Sequence, residues 1–587
     1  MLVPLPLFVA LAVLFAHEHL VERLPGAESV ARLAVAALVL PVPWLVARWS
    51  AKSVAATLAR GRLPGRWTRL ALRSQSLTVP AAFAILVAWG DLPALAVRWA
   101  GASASLELLV LLAPLIVMEV AMRLAEMRAE RAIETAGLVS GAQLGPGRLR
   151  VTALVVIPLM TLAAAADAVA LDRDVEVFLS HTALGMSLGL LCLGLMMCVA
   201  LPLAFRWVMP VSPQLPTHLG DDLRAVASTL GFRRRALLSL QSRHRMVNAA
   251  LVGPLPWPRY LVLSDGLMSF LDPSALRGVV AHEVGHAKAG HPAWLVLVFG
   301  VLPLLLFWPF QLWAAPDLDT TTWAVLALGG GLMLWLVLRG IAHRFEYEAD
   351  QLSSEALGSP EHCIRALQRV GDLAPGRARE RASLRHPSEQ QRVRNMLRCA
   401  ASEADRTAFW RRGRRLRRGI LAVAVAALVT SAWSLVQLWP VDHATWLYLT
   451  GRVRDAERQL VTLSSEVLPS QRELVDELRT EVAAALELGV EDGRWDEVRG
   501  ELARRAMRRT ERAVREGAEP DEVGKWLGLA LYEDPPAWAQ SLYLYYQARA
   551  AEASPRAERL RRHTLTLEPP PPVALALSAI APSGRDQ

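Results

Sequence analysis

A chain of 587 residues has the length of several soluble domains, but 53% hydrophobic residues and a mean hydropathy of +0.28 exclude a wholly soluble protein. The net charge of +9 sits mainly as arginine in short loops beside apolar blocks, where it sets topology, so it does not point to nucleic acid. Four cysteines without a CxxC pair imply neither a disulfide framework nor a thiolate zinc site.

In chain order, apolar blocks long enough to cross a hydrocarbon core fall at 2–16, 30–48, 76–98, 104–122, 151–171, 178–204, 292–313, 321–338 and 419–439. The first is read as a span rather than a removed signal peptide, because it has neither a basic start nor a small-residue cleavage site. Arginine is concentrated at 48–73, at the ends of 123–150, and in 206–290 and 339–418, whereas "DRDVE" (172–176) and "PDLDTT" (316–321) are short and acidic. The basic set therefore faces the cytoplasm. Nine spans then put the N-terminus inside and residues 440–587 outside. This last part reads as soluble and helical. "GRVRDAERQL" (451–460) and "GRWDEVRGEL" (493–502) look alike, which suits either helix-pair repeats of tetratricopeptide type or an unrelated bundle. Its outer position leaves room for an extracytoplasmic protein partner. The final proline-rich stretch reads as a loose tail.

The chemistry concentrates in "VVAHEVGHAKAGH" (279–291). His282 and His286 are four apart, so a helix projects both imidazoles from one face. Two neutral imidazoles so placed hold one Zn²⁺, with Glu283 positioned to take a proton from the water that the metal activates. The competing reading is a buried helix with hydrogen-bonded histidines, which gives Glu283 no task. A zinc site needs a third protein ligand, and "AHRFEYEADQLSSEAL" (342–357) offers Glu346 and Asp350 on one helical face. One would bind metal and the other would accept the free N–H of a ligating histidine. Glu348 and Glu355 are rival ligands without such a partner, and a solvated acidic face is the lesser alternative on spacing alone.

Four segments in this order resemble the integral-membrane zinc metallopeptidases that include the CaaX prenyl endopeptidases and the heat-shock protease HtpX. They are "NAALVGPLPWPRYLVLSDGLM" (248–268), "HEVGHAKAGH", "FEYEAD" and "RHPSEQQRV" (385–393), covering roughly 215–400. The resemblance implies one zinc per chain, with His282, His286 and Glu346 as ligands and Asp350 behind them. It implies Glu283 as the catalytic base and His386 as a group that steadies the oxyanion. It also implies an edge strand that pairs with substrate backbone near Asn248, Ala249 and Arg259. Where that family carries arginine three residues before the glutamate ligand, this chain has His343, with Arg344 beside it. His343 is read as an interfacial histidine rather than a further ligand. His291 is not read as a ligand and marks where the active-site helix meets the seventh span.

The expected fold is mainly α: a polytopic membrane protein of about nine transmembrane helices, a small α+β zincin-like catalytic part and a C-terminal soluble helical domain. Its parts are an N-terminal membrane region (1–205), a cytoplasm-facing metallopeptidase domain (206–418), a span (419–439) and an outer domain (440–587). The expected function is a zinc endopeptidase acting on membrane or membrane-adjacent proteins. A receptor whose outer domain gates the protease and a non-catalytic scaffold are the alternatives. Only three lysines beside many arginines suggest a GC-rich genome, and hence a bacterial inner membrane. Glu107, Glu119, Asp167 and His181, in or near spans, are read as structural.

Overall fold

The computed structural model describes residues 35–60, 78–87, 92–101, 103–135, 147–233, 236–242, 246–314, 320–372, 386–463, 468, 471–531, 537–550 and 554–579. The chain is mostly helical and divides into two compact units. One comprises Met1–Ala168, Leu191–Pro303 and Asp319–Val425; the other comprises Val169–Leu190, Leu304–Leu318 and Ala426–Gln587.

Among the described residues, five helices are long and apolar enough to cross a membrane: Ala104–Ala125, Thr152–Val169, Ala183–Val208, His291–Phe310 and Glu403–Leu449. They make this an integral membrane protein. Within the expected spans the structure adds local detail. The 30–48 block is interrupted by a turn at Leu40 and Pro41. The 76–98 block holds two short helices, Thr78–Val87 and Leu92–Ala100. The 178–204 block starts at Ala183, because Thr182 ends a short helix, Arg173–His181, and its hydroxyl accepts the N–H of Gly185 (2.9 Å) to begin the next. The 2–16 block lies outside the described residues. Asp167 accepts hydrogen bonds from Ser103 Oγ and from the N–H groups of Ala104 and Ser105, so it caps the start of the helix beginning at Ala104.

The catalytic part is built on a four-stranded sheet of order β1-β2-β4-β3. Its strands are β1 (Val211–Ser212), β2 (Leu237–Leu240), β3 (Ala249–Val252) and β4 (Tyr260–Ser264). Helix α1 (Thr217–Thr229) packs beneath it. Strands β2 and β4 run parallel, and β3 pairs antiparallel with β4, so β3 forms an open edge. Five further helices follow: α2 (Pro273–Lys288), α3 (Thr320–Leu357), α4 (Glu361–Asp372), α5 (Glu389–Ala401) and α6 (Glu403–Leu449). The expected 321–338 span is the first half of α3. Leu223, Leu237, Leu261, Leu263, Leu276, Val280 and Val284 form the core between sheet, α1 and α2.

The helices after Val441 share a second core that includes Tyr448, Leu460, Val482, Leu502, Trp526 and Tyr545. Here Gly493 N–H donates to Gly451 O (3.2 Å) and Arg454 N–H donates to Asp492 (3.0 Å). The starts of the two similar stretches therefore lie side by side.

Candidate metal centre

Helix α2 begins with Asp272 accepting the N–H of Ala275 and with Pro273 in its first turn, where a missing N–H costs nothing. It carries the HEVGH stretch past α3. The two helices approach so closely at Gly285 that a Cβ there would stand 3.0 Å from Ala349 O. A larger residue there would have to be accommodated by a shift of the α3 backbone at Ala349, between Glu346 and Asp350.

At this crossing His282 Nε2 and His286 Nε2 are 3.2 Å apart. Glu346 Oε2 is 3.7 Å from the first and Oε1 is 3.5 Å from the second. An ion with bonds near 2.1 Å and tetrahedral angles needs donor separations of about 3.4 Å. Nitrogen and carboxylate donors at these spacings fit zinc. Glu346 Oε2 is buried and makes no hydrogen bond of good geometry, as suits an atom whose partner is a cation. Among the described residues these three are the group that can hold a metal, and His343 is outside it.

The surrounding groups hold the ligands. His282 Nδ1 lies 2.9 Å from Asp350 Oδ1. Arg392, from α5, grips the same carboxylate with two donors: Nε to Oδ2 (2.8 Å) and Nη2 to Oδ1 (2.6 Å). Its Nη1 stands 3.2 Å from Glu346 Oε2. Arg392 lies in the quoted "RHPSEQQRV" stretch but was not singled out from sequence. The signal available was an arginine six residues after His386 in an amphipathic helix, which is too common to stand out. Glu348, one of the rival ligands, points away from the metal position and is buried against Arg344 and Arg417. Glu355, the other rival, accepts hydrogen bonds from Gln351 and Trp410.

A cleft of about 160 Å³ opens beside the ligands. Its polar side includes His282, Glu283, Glu346 and His386, and its apolar side includes Leu267, Val279, Leu367 and Val370. Asn248 and Ala249 also line it, with β3 as the adjoining edge. His386 is 58% exposed, and its Nδ1 lies 3.1 Å from Glu346 Oε2. Arg259 does not line the cleft. Its guanidinium donates to the carbonyls of Gly253 (3.2 Å), Pro254 and Ala287 (3.1 Å), tying the loop after β3 to the end of α2. These three bonds brace the loop after the edge strand.

Electrostatics separate the carboxylates. Burial pushes Glu283 up from the ordinary carboxylate range, and the neighbouring Glu346 charge adds to this against the pull of His282. Burial would also raise Glu346, but His386, Arg392 and the two α2 histidines hold it far below its usual range. Asp350 likewise resists its burial through Arg392 and His282 and lies at about 2. One carboxylate is thus poised to accept a proton while two remain anionic.

Residues 214–400 match the family described as Peptidase family M48. A protease HtpX homolog of Bordetella pertussis is 25% identical over 187 residues, covering 29% of this chain and 62% of that protein. One of Aeropyrum pernix is 28% identical over 211 residues, covering 33% and 65%. Protease HtpX homolog 1 of Streptomyces coelicolor is 30% identical over 146 residues, covering 23% and 47%. The chain spans less than two thirds of the length of these relatives. The crystal structure of S. mikatae Ste24p is 16% identical with a TM-score of 0.35, covering 63% of this chain and 99% of that one.

Proposed function

We propose that this chain, which carries a peptidase family M48 domain over residues 214–400, is a zinc-dependent membrane endopeptidase of the HtpX and Ste24 kind. The observation that carries the reading is the triangle of His282, His286 and Glu346 with Glu283 beside it in the cleft. When bound, zinc supplies Lewis-acid polarisation of a scissile carbonyl and a water of lowered pKa. Glu283, raised by burial and lining the cleft, is placed to take up a proton there and to return one to a leaving amine. Asp350 and Arg392 orient His282 and Glu346. The open edge of β3 lies beside the cleft wall formed by Asn248 and Ala249 and offers backbone partners to an extended substrate. His386, exposed at the cleft rim, donates to the oxyanion of the tetrahedral intermediate.

The substrates are membrane or membrane-adjacent proteins, cut at the cytoplasmic face of a bacterial inner membrane in processing or quality control. The span His291–Phe310 starts five residues after ligand His286, which keeps the metal position close to the bilayer surface.

The test is metal analysis of detergent-purified protein beside cleavage of an unfolded model protein. About one zinc per chain is expected, lost together with activity in Glu346→Ala. Glu283→Gln should keep the zinc and lose turnover by about 10²–10⁴-fold. Wild type without zinc would overturn the reading.

A further inference from the structure

The two zinc-facing histidines are not backed alike. His282 passes its Nδ1 proton straight to Asp350. His286 has no carboxylate at its Nδ1; the ring nitrogen 2.9 Å away is Nδ1 of His291. On the far side of that ring, His291 Nε2 lies 3.3 Å from Glu348 Oε2. Glu348 then accepts from Arg344 Nε at Oε1 (3.0 Å) and from Arg417 Nη2 at Oε2. His291 and Glu348 are each only 1% exposed.

The proton positions along this path follow from the chemistry of each atom. A histidine that offers Nε2 to a metal carries its proton on Nδ1. That proton needs an acceptor, and among the described residues the one within reach is the lone pair of His291 Nδ1. His291 must then carry its own proton on Nε2, which faces the Glu348 carboxylate. Every N–H in the path meets an acceptor, and the path ends on an anion balanced by two guanidinium groups.

The rest of the environment keeps the intermediate ring in place. Phe345 stacks on His291 with centroids 4.1 Å apart and planes 7° from parallel. Helix α6 comes so close at Gly413 that a Cβ there would stand 2.3 Å from Glu348 Oε1. A buried carboxylate with two arginines is a costly way to pack helices, since apolar residues of similar volume pack as well or better. Its retention here calls for a task.

We propose that His291 is a positioning residue for the metal: it accepts the His286 Nδ1 proton and passes the hydrogen-bond path to Glu348, with Arg344 and Arg417 holding that carboxylate. This rests on the zinc reading above. It assigns a task to a histidine that spacing alone marks only as the start of a span, and to a glutamate that first reads as a rival ligand.

The experiment is zinc affinity of the detergent-purified full chain, measured by chelator competition, for wild type, His291→Phe and His291→Asn. Phenylalanine keeps the stacking with Phe345 and removes the acceptor. It should weaken zinc binding about 10–100-fold, with KM for a model substrate unchanged once zinc is saturating. Asparagine restores an acceptor oxygen and a donor amide and should recover most of the affinity. Wild-type affinity in His291→Phe overturns the proposal. Equal losses in both variants also overturn it, since that outcome reports packing alone. If His291→Phe does not fold, Glu348→Gln reads the same path: weaker zinc binding supports it, and unchanged binding overturns it. Absence of zinc from wild type would remove the zinc reading and this proposal together, whereas a normal wild type with unaffected variants removes only the proposal.

Discussion

The flank of the metal position behind His282 and the flank behind His286 solve one problem with different parts. Behind His282, a single carboxylate four residues beyond Glu346 on the same helix takes the imidazole proton, and one arginine clamps that carboxylate and reaches Glu346. Behind His286, the path crosses a second histidine before it meets Glu348, and the clamping arginines come from α3 and α6. The short flank lies within α2, α3 and α5, the three helices that carry family-like motifs. The long flank draws in Arg417 of α6. A buried ligand can therefore be oriented by its own motif or by elements that have no motif, and the two designs should fail differently.

The largest effect is expected on the short flank. Arg392→Ala leaves Asp350 and Glu346 buried without their shared cation, and loss of one partner of a buried pair costs about 3–5 kcal/mol. Thermal unfolding of the purified protein should show a clear drop in midpoint together with loss of bound zinc. A midpoint equal to wild type would mean that the clamp is dispensable.

Asp350→Asn comes next, because it keeps the shape while weakening the acceptor for His282 and the buried pair with Arg392. Zinc affinity should fall about 10–100-fold, as second partners of metal ligands typically show. A loss similar to that in His291→Phe would make the two flanks equal in strength despite their different lengths. A much smaller loss would make the long flank dominant.

The same aspartate sets an acid limit. Despite the upward push of burial, Arg392 and His282 hold it at about 2, below the ordinary value of 3.8. A depressed carboxylate adds stability above its unfolded pKa and loses it as pH falls through the folded value. The contribution, on the order of 2 kcal/mol, is complete above about pH 4 and fades towards pH 2. Unfolding measured across this window should be steeper in wild type than in Asp350→Asn, and parallel curves would contradict the assignment.

The smallest effect is reserved for a pair outside both flanks. Arg277 grips Asp222 with two bonds of 2.7 Å, but both side chains are about a third or more exposed. Arg277→Ala should cost less than about 1 kcal/mol and leave zinc affinity at the wild-type value. A fall in zinc affinity there would show that the site responds to any loosening of α2, which would blur the contrast between the flanks.

Much of this molecule is legible from its order of residues, and the reason is local geometry. Helical spacing alone puts His282 with His286, and Glu346 with Asp350, on shared faces, because four residues make little more than one turn. Hydropathy alone marks the membrane character, since each apolar block carries its own evidence of length and composition. Hydropathy places block edges less well than block existence, because local turn chemistry sets where a helix begins, as at Leu40 and Pro41 or at Thr182. The tertiary structure decided the rest. Arg392 lies 42 residues from Asp350, Glu348 lies 57 from His291, and Arg417 lies 69 from Glu348. Arg259 turned out to brace a loop, and Glu348 to anchor a histidine, because a buried charge takes its role from whatever surrounds it. Those surroundings are assembled only when distant helices pack, at contacts as close as Gly285 against Ala349 and Gly413 against Glu348.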